Sequence, residues 1–283
     1  MSQLSSAQQA LAWLVAPTGN GENSPRVLFL AAHPDDETIG GSAVLNRLSD
    51  VFVAYLTDGA PRDARFRSPH VRGSRDFYAC VRAEEAACAL NIAGVPAGRI
   101  AFLGGVDQEA VAEVPVLLQA FVEVVREFQP SVIITHPYEG GHPDHDTAAL
   151  IAQLATSPAV HQNAAPPPLL EMTSYHLADG KRLIGEFLPA ASSSAASSVT
   201  LKLTSEERAK KARMLGSYIS QWHILSEFPL EPERIRVAPR YDFTQPPHAG
   251  PLWYEYLDWP LSGVHWREAA GKVLEAYGHM PCR

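Results

Sequence analysis

The stretch from Arg26 to Gly41, RVLFLAAHPDDETIGG, limits the possible folds more than any other. Its apolar run, Val27 to Ala32, is bounded by Pro25 on one side and a polar cluster on the other, the pattern of a strand buried on both faces. Such a strand needs helices above and below it. At its carboxyl end stand His33, Pro34, Asp35, Asp36 and Glu37, and then Ile39, Ala43, Val44, Leu45 and Leu48 at the spacing of a short buried helical stripe. One imidazole and three carboxylates therefore occupy a strand-to-helix turn, where open α/β sheets keep their ligands.

The alternation continues. Val51 to Thr57 reads as a second strand ending at Asp58-Gly59, Arg99 to Leu103 as a third followed by Asp107, and Ser131 to Thr135 as a fourth. Helices are predicted over Asp76 to Ile92, Ala110 to Phe128, and Thr147 to about Ala155. The first of these carries Phe77, Cys80, Val81, Ala87, Cys88 and Leu90 among its apolar positions, with Arg82 and Glu85 neighbours on its surface. The fourth strand delivers HPYEGGHPDHD, His136 to Asp146. Strands alternating with helices imply a mostly parallel sheet in a Rossmann-like three-layer sandwich. In such sheets the first and fourth strands lie side by side, which brings the His33 to Glu37 turn and the His136 to Asp146 loop to one crevice.

Beyond Ala155 the pattern loosens. Ser157 to Pro168 is Pro/Ala-rich and Leu188 to Ser198 is Ser/Ala-rich, both reading as linkers. Leu169 to His176 reads as a fifth strand and Ser198 to Leu203 as a sixth; Thr204 with Glu207 makes a capping box for a helix running to roughly Ser220. The proline-dotted remainder is expected to be an irregular C-terminal extension, giving an α/β domain over 1–220 with residues 221–283 packed on it. Gln8 to Val15 is expected to form a short amphipathic helix on the domain.

The loop from Pro61 to Arg75 carries Arg62, Arg65, Arg67, Arg72 and Arg75 in a chain whose formal charge is -8. It reads either as solvated surface or as a flap for an anionic or polyhydroxylated substrate. The negative balance argues against a general nucleic-acid binder. Cys80 and Cys88 lie on one predicted helix, on the order of 12 Å apart along its axis and too far to bridge; with Cys282 they read as free thiols. No long apolar segment suggests a membrane span, the first residues lack the basic and apolar regions of a secretory signal, and a cytoplasmic protein is expected.

Nitrogen and oxygen donors with an open position suit a catalytic zinc, and His and Asp accept iron as well. His33, Asp36 and His145 are the candidate ligands; Asp35, beside one of them, is the candidate base for a metal-activated water. His142, as an imidazolium, is a candidate for stabilising an oxyanion, with Asp144 or Asp146 holding it protonated. No Walker loop or strand-linked GxGxxG is present.

AHPDDE at Ala32 to Glu37, paired with HPDH at His142 to His145, resembles the PIG-L/LmbE-like zinc-dependent N-acetylglucosaminyl deacetylases, which include the mycothiol and bacillithiol pathway deacetylases. The resemblance covers roughly Arg26 to Ala155. It implies metal ligation by His33, Asp36 and His145, Asp35 as general base, His142 as oxyanion-stabilising residue and Asp144 as its partner. It also implies substrate contact by Arg82 and, from acidic residues after the second and third strands, by Asp58 and Asp107. Where some members carry a tyrosine immediately ahead of HPDH, this chain has Glu139-Gly140-Gly141. The expected activity is removal of an acetyl or other acyl group from the nitrogen of an amino sugar or its conjugate. The alternatives are hydrolysis of a non-sugar amide, carbamoyl or ester bond, and a non-catalytic sugar- or metal-binding module.

Overall fold

The protein, analysed as a computed structural model, is described over residues 6–15, 25–157, 160, 165–189 and 198–278. Helix α1 (Ser6–Val15) precedes strand β1 (Val27–Ala31), then α2 (Asp36–Arg47), β2 (Val51–Thr57), α3 (Arg75–Ala93), β3 (Ile100–Gly105), α4 (Val114–Phe128), β4 (Val132–Thr135) and α5 (Pro143–Ala155). The second half adds β5 (Leu169–Met172), a hairpin of β6 (Tyr175–Ala178) and β7 (Lys181–Ile184), β8 (Ser198–Leu201), α6 (Ser205–Leu215), α7 (Trp222–Leu225), β9 (Glu233–Val237) and α8 (Gly263–Gly278). The main sheet runs β3-β2-β1-β4-β5-β9-β8, parallel as far as β5, with β9 antiparallel to both its neighbours.

β1 is the centre of the molecule. Val27, Phe29 and Ala31 face a core shared with α1, α2, α3 and α6, while Leu28 and Leu30 face a second core with α4, α5 and α8. Every β1 side chain is inaccessible, and each of its large residues contributes roughly 1.5–3 kcal/mol by leaving water. Val27 is in register with Val51 on one side and Val132 on the other, so β2 and β4 flank β1 and the β1 and β4 carboxyl ends meet. This is the adjacency expected from the sequence.

Several elements differ from the sequence reading, each for a local reason. α5 starts at Pro143 rather than Thr147, because proline's fixed φ suits the first helical position and His142 caps it. The apolar stripe that signalled this helix begins only at Ala148. On α3 the buried face carries Tyr78, Arg82, Glu85, Ala86 and Ala89, leaving Phe77, Cys80 and Cys88 exposed; two charges occupy the inner face because ion pairs await them there. The expected strand Leu169 to His176 divides at Thr173-Ser174, and a hairpin follows whose turn places Asp179 and Gly180 at positive φ, the Asp-Gly signature of such turns. The C-terminal region, expected to be irregular, supplies β9 inside the main sheet and the long helix α8. The Pro/Ala-rich and Ser/Ala-rich stretches lie largely outside the described residues, as does Cys282.

β9 also secures α2. Gly41 interrupts that helix at φ -133 and ψ 15, and any Cβ there would come within 2.5 Å of the Phe29 ring. Buried Glu233 accepts the Ala43 N–H at 2.8 Å and the Ser42 hydroxyl, and pairs with Lys211 at 2.8 Å. Lys211 in turn donates to the Ile39 carbonyl at 2.7 Å, so the groups around the kink have partners. α6, which carries Lys211, opens with the expected capping box: Glu207 N–H donates to Thr204 Oγ1 at 3.1 Å and Thr204 N–H to Glu207 Oε2 at 2.7 Å. The helix ends at Leu215, short of the expected Ser220. Thr204→Ala should cost about 1 kcal/mol and lower the melting temperature by roughly 2 °C; thermal unfolding followed by circular dichroism measures it.

Candidate metal and active site

The carboxyl ends of β1 and β4 form the floor of a cleft of about 430 Å3, lined there by His33, Asp35, Asp36, Asp107, His142 and His145. The two strand ends are tied directly: Ala32 N–H donates to His136 Nε2 at 3.1 Å. His136 is fully buried and stacks on His145, ring centroids 4.0 Å apart. His136 had no role in the sequence-based expectation, although β1 and β4 are each followed by His-Pro, His33-Pro34 and His136-Pro137, a repeat that signals the paired turns.

His33, Asp36 and His145 offer ligand atoms that all lie within 4.8 Å of one another. Asp36 Oδ1 is 3.3 Å from His145 Nε2, and Asp36 Oδ2 is 3.3 Å from His33 Nδ1. Burial opposes the charge on Asp36, but the imidazoles of His145 and His136 outweigh it and hold the carboxyl well below its usual range. Burial, then His136, pushes His145 down to about 3. Asp36 and His145 thus present a carboxylate and a neutral imidazole, donor forms that suit a divalent cation. Burial of His33, by contrast, is outweighed by Asp107, Asp144 and Asp36, which raise its pKa well above the ordinary value. Ser174 Oγ lies 3.3 Å from His145 Nδ1 and orients the ring.

Asp144 occupies a different place from the one expected. Its carboxylate accepts the N–H groups of Gln108 at 2.6 Å and Ala110 at 3.2 Å and lies 3.1 Å from His33 Nε2. Its separation from His142 Nδ1 is 3.9 Å, too long for a hydrogen bond. Asp144 therefore supports a candidate ligand, His33, in the carboxylate–histidine arrangement common around metals. His142 Nδ1 instead accepts the backbone N–H of Asp144 at 3.1 Å as the cap of α5. That bond leaves the ring proton on Nε2, and burial, followed by His33 and His145, lowers the His142 pKa well below its ordinary value. The ring is a neutral N–H donor where an imidazolium was expected. Asp146 is also turned away, its carboxylate accepting the Glu139 and Gly140 N–H groups at 3.2 and 3.0 Å.

Asp35 lies beside the trio in an unusual backbone conformation, φ 129 and ψ -27, of the kind that costs on the order of 1–3 kcal/mol and collects at functional sites. Arg82 Nη2 donates to Asp35 Oδ2 at 3.0 Å and to the Pro34 carbonyl. Burial raises the Asp35 pKa to about 7, with Arg82 opposing and Asp36 reinforcing the shift. Glu37 supports the turn: it accepts the Asp35 N–H at 3.2 Å and the Tyr218 hydroxyl at 2.8 Å. Of the three expected substrate contacts, Arg82 and Asp107 line the cleft. Asp58 is bound to Arg75 and to the Ala60 N–H, outside the lining.

The walls come from distant segments. Trp259 approaches the His142 ring to 4.5 Å, Tyr175 the His145 ring to 5.4 Å, and Trp253 lines the cleft further out. A Cβ on Gly141 would overlap the Tyr175 carbonyl oxygen, so only glycine lets the hairpin close against this loop. Trp266 on α8 donates to the Pro143 carbonyl at 3.0 Å and steadies the start of α5.

Residues 28–156 match the sequence profile of PIG-L, GlcNAc-PI de-N-acetylase. Over this stretch the α/β domain is similar to the PIG-L family. Over 144 residues it is 30% identical to the 1D-myo-inositol 2-acetamido-2-deoxy-alpha-D-glucopyranoside deacetylase of Mycobacterium tuberculosis, an alignment covering 43% of this chain and 48% of that protein. The chain thus spans about half the length of the curated relatives it matches. Among solved structures, N,N'-diacetylchitobiose deacetylase from Pyrococcus horikoshii shares the fold with a TM-score of 0.55 at 17% identity, covering 84% of this chain and 95% of that one. A deacetylase of the teicoplanin biosynthesis pathway does so at 0.55 and 19%, covering 77% and 99%.

Asp144→Asn keeps the side-chain volume and removes the charge facing His33. It should weaken divalent-metal binding on the order of 10–100-fold, measured by competition with a chromophoric chelator; unchanged affinity would mean that His33 is oriented without Asp144.

Proposed function

We propose that this protein is a metal-dependent N-deacetylase acting on an N-acetylated amino sugar or amino-sugar conjugate. The observation that carries the reading is the trio His33, Asp36 and His145 on the cleft floor, with ligand atoms within 4.8 Å of one another and Asp35 and His142 beside it. The similarity of residues 28–156 to the PIG-L family and the amino-sugar deacetylases among the relatives support it.

The donor set fits a divalent cation, zinc or iron: one carboxylate and two imidazoles, each with a further polar partner fixing its orientation. A cation held there supplies Lewis-acid polarisation of an amide carbonyl and acidifies a water molecule. Asp35, its carboxylate held in position by Arg82, would accept a proton from the attacking water and return it to the leaving amine. His142 directs its Nε2–H at the carbonyl oxygen as charge builds there, and its neutral state keeps it a fixed dipole rather than a second cation. The buried floor strengthens each of these interactions by excluding water.

Asp35→Ala should lower kcat at least about a hundredfold while the bound metal, measured by atomic emission, stays near its unsubstituted level; full activity would remove Asp35 from the mechanism. Chelator treatment should abolish deacetylation, and zinc or ferrous iron should restore it. A panel of N-acetylated sugars beside non-sugar amides, carbamates and esters separates the sugar reading from the broader hydrolase, which is favoured if every sugar is inert.

A further inference from the structure

The arginines of the loop following β2 are not equivalent. Arg62 pairs with Glu109 at 2.8 Å, Arg65 with Asp63 at 2.7 Å, and Arg75 with Asp58. Arg72 is exposed and lies outside the cleft lining. Arg67 lines the cleft and, among the described residues, has no carboxylate within 4.0 Å; its one hydrogen bond runs from Nη2 to the Arg62 carbonyl at 3.3 Å, and its Nε is buried without a partner. A guanidinium in that condition has donors to give, and a planar fork matches a carboxylate or phosphate.

The loop is held as a wall. Asp63 caps a short 3-10 turn over Ala64–Phe66, Ser68 N–H donates to the Tyr78 hydroxyl at 3.2 Å, and Phe66 meets Trp259 edge-on at 6.2 Å. Arg67 is therefore presented from ordered backbone on the same side as the Trp259 ring that abuts His142. The carboxylates lining the cleft, Asp35, Asp36 and Asp107, belong to the floor, where Arg82 is bound to Asp35, whereas Arg65, Arg67 and Arg182 line its walls among aromatic side chains, Arg65 paired with Asp63 and Arg182 with Glu227. Arg182 is itself surrounded by Tyr175, Phe228 and Trp253, at 5.8, 5.8 and 5.5 Å from their ring centroids. In a chain of net charge -8 this arrangement favours a neutral amide at the floor and a negative group, carried on an apolar or aromatic part, at the wall.

We infer that Arg67 is a specificity-determining residue that binds an anionic group, carboxylate or phosphate, on the part of the substrate beyond the N-acetyl sugar. This rests on the deacetylase reading and extends it to acidic amino-sugar conjugates.

The test compares kcat/KM of the metal-loaded protein for 4-carboxyphenyl N-acetyl-β-D-glucosaminide, its uncharged 4-carbamoylphenyl isostere, and N-acetylglucosamine 1-phosphate beside N-acetylglucosamine. At least one anionic substrate should exceed its neutral counterpart by about tenfold or more, the typical reach of one charge-assisted contact. The two pairs tell carboxylate from phosphate. In Arg67→Ala the ratio should fall toward one, and in Arg67→Lys it should be intermediate, because the charge remains without the fork. Rising salt should shrink the unsubstituted ratio. A ratio near one in the unsubstituted protein, or one that survives Arg67→Ala, overturns the inference. Should no N-acetyl sugar be hydrolysed, the deacetylase reading falls separately. The inference is then judged by calorimetric binding of the same 4-carboxyphenyl and 4-carbamoylphenyl compounds, upheld by an Arg67-dependent preference for the acid and overturned by none.

Discussion

The hydrogen bond from Ala32 N–H to His136 Nε2 joins the ends of two parallel strands where no ladder bond remains to hold them. The candidate site depends on that junction. β1 and β4 are neighbours in the sheet although 104 residues separate the two bonded groups, and the chain must cross from one edge of the sheet to the other side of β1 between them. The crossing opens the crevice; His136 closes its base, then offers a flat ring on which His145 stacks. His145, the candidate ligand from the second loop, is thereby placed against the turn that carries His33 and Asp36.

Above that junction the site is a set of buried charges, each costly alone and tolerable because its neighbours are fixed. Asp144 is the clearest case. With no exposure to water, its carboxylate is satisfied by two backbone N–H groups from the segment after β3 and by the His33 ring, so one side chain joins three parts of the chain. Arg82 does comparable work on the other flank, buried on α3 and tied to Asp35, while Glu85 one turn on receives the Ser220 N–H and hydroxyl. The Asp35 ion pair and the Glu85–Ser220 bonds, rather than apolar periodicity, explain why α3 turns these charges inward, even though Arg82 Nε and Nη1 stay buried without a hydrogen-bond partner among the described residues.

The portions of the site legible in the sequence were those set by local pattern. The apolar run of β1, the polar turn after it and the second cluster after β4 stand in short contiguous stretches, and strand-helix alternation alone makes those strands neighbours. The hairpin over β6 and β7 had a signal in Asp179-Gly180, but Leu169 to His176, LLEMTSYH, read as one strand, and Thr173-Ser174, where it breaks, gave no turn signal strong enough to divide it. β9 was hidden because ERIRV alternates charge with aliphatic residues in a proline-rich region, and its partner β5 lies more than 60 residues earlier. The arginine-rich loop was visible as composition, but composition cannot separate the arginines that are paired, Arg62, Arg65 and Arg75, from Arg67, which lines the cleft without a carboxylate partner among the described residues.

The sequence by itself determined the fold class, the donor types and the two turns that carry them, because these follow from periodicity and from the chemistry of residues close together in the chain. Only the tertiary structure decided which carboxylate serves which histidine. Asp144 is two residues from His142 but contacts His33, since helix capping takes His142 Nδ1 and the start of α5 aims the carboxylate toward β1. It likewise decided that Trp253 and Trp259, from a segment far along the chain, line the cleft that holds the candidate metal-ligand trio. Hydrogen-bond partners and cleft walls are chosen by distance in space, and for groups held by different elements that distance is settled only when the cores on both faces of β1 have packed.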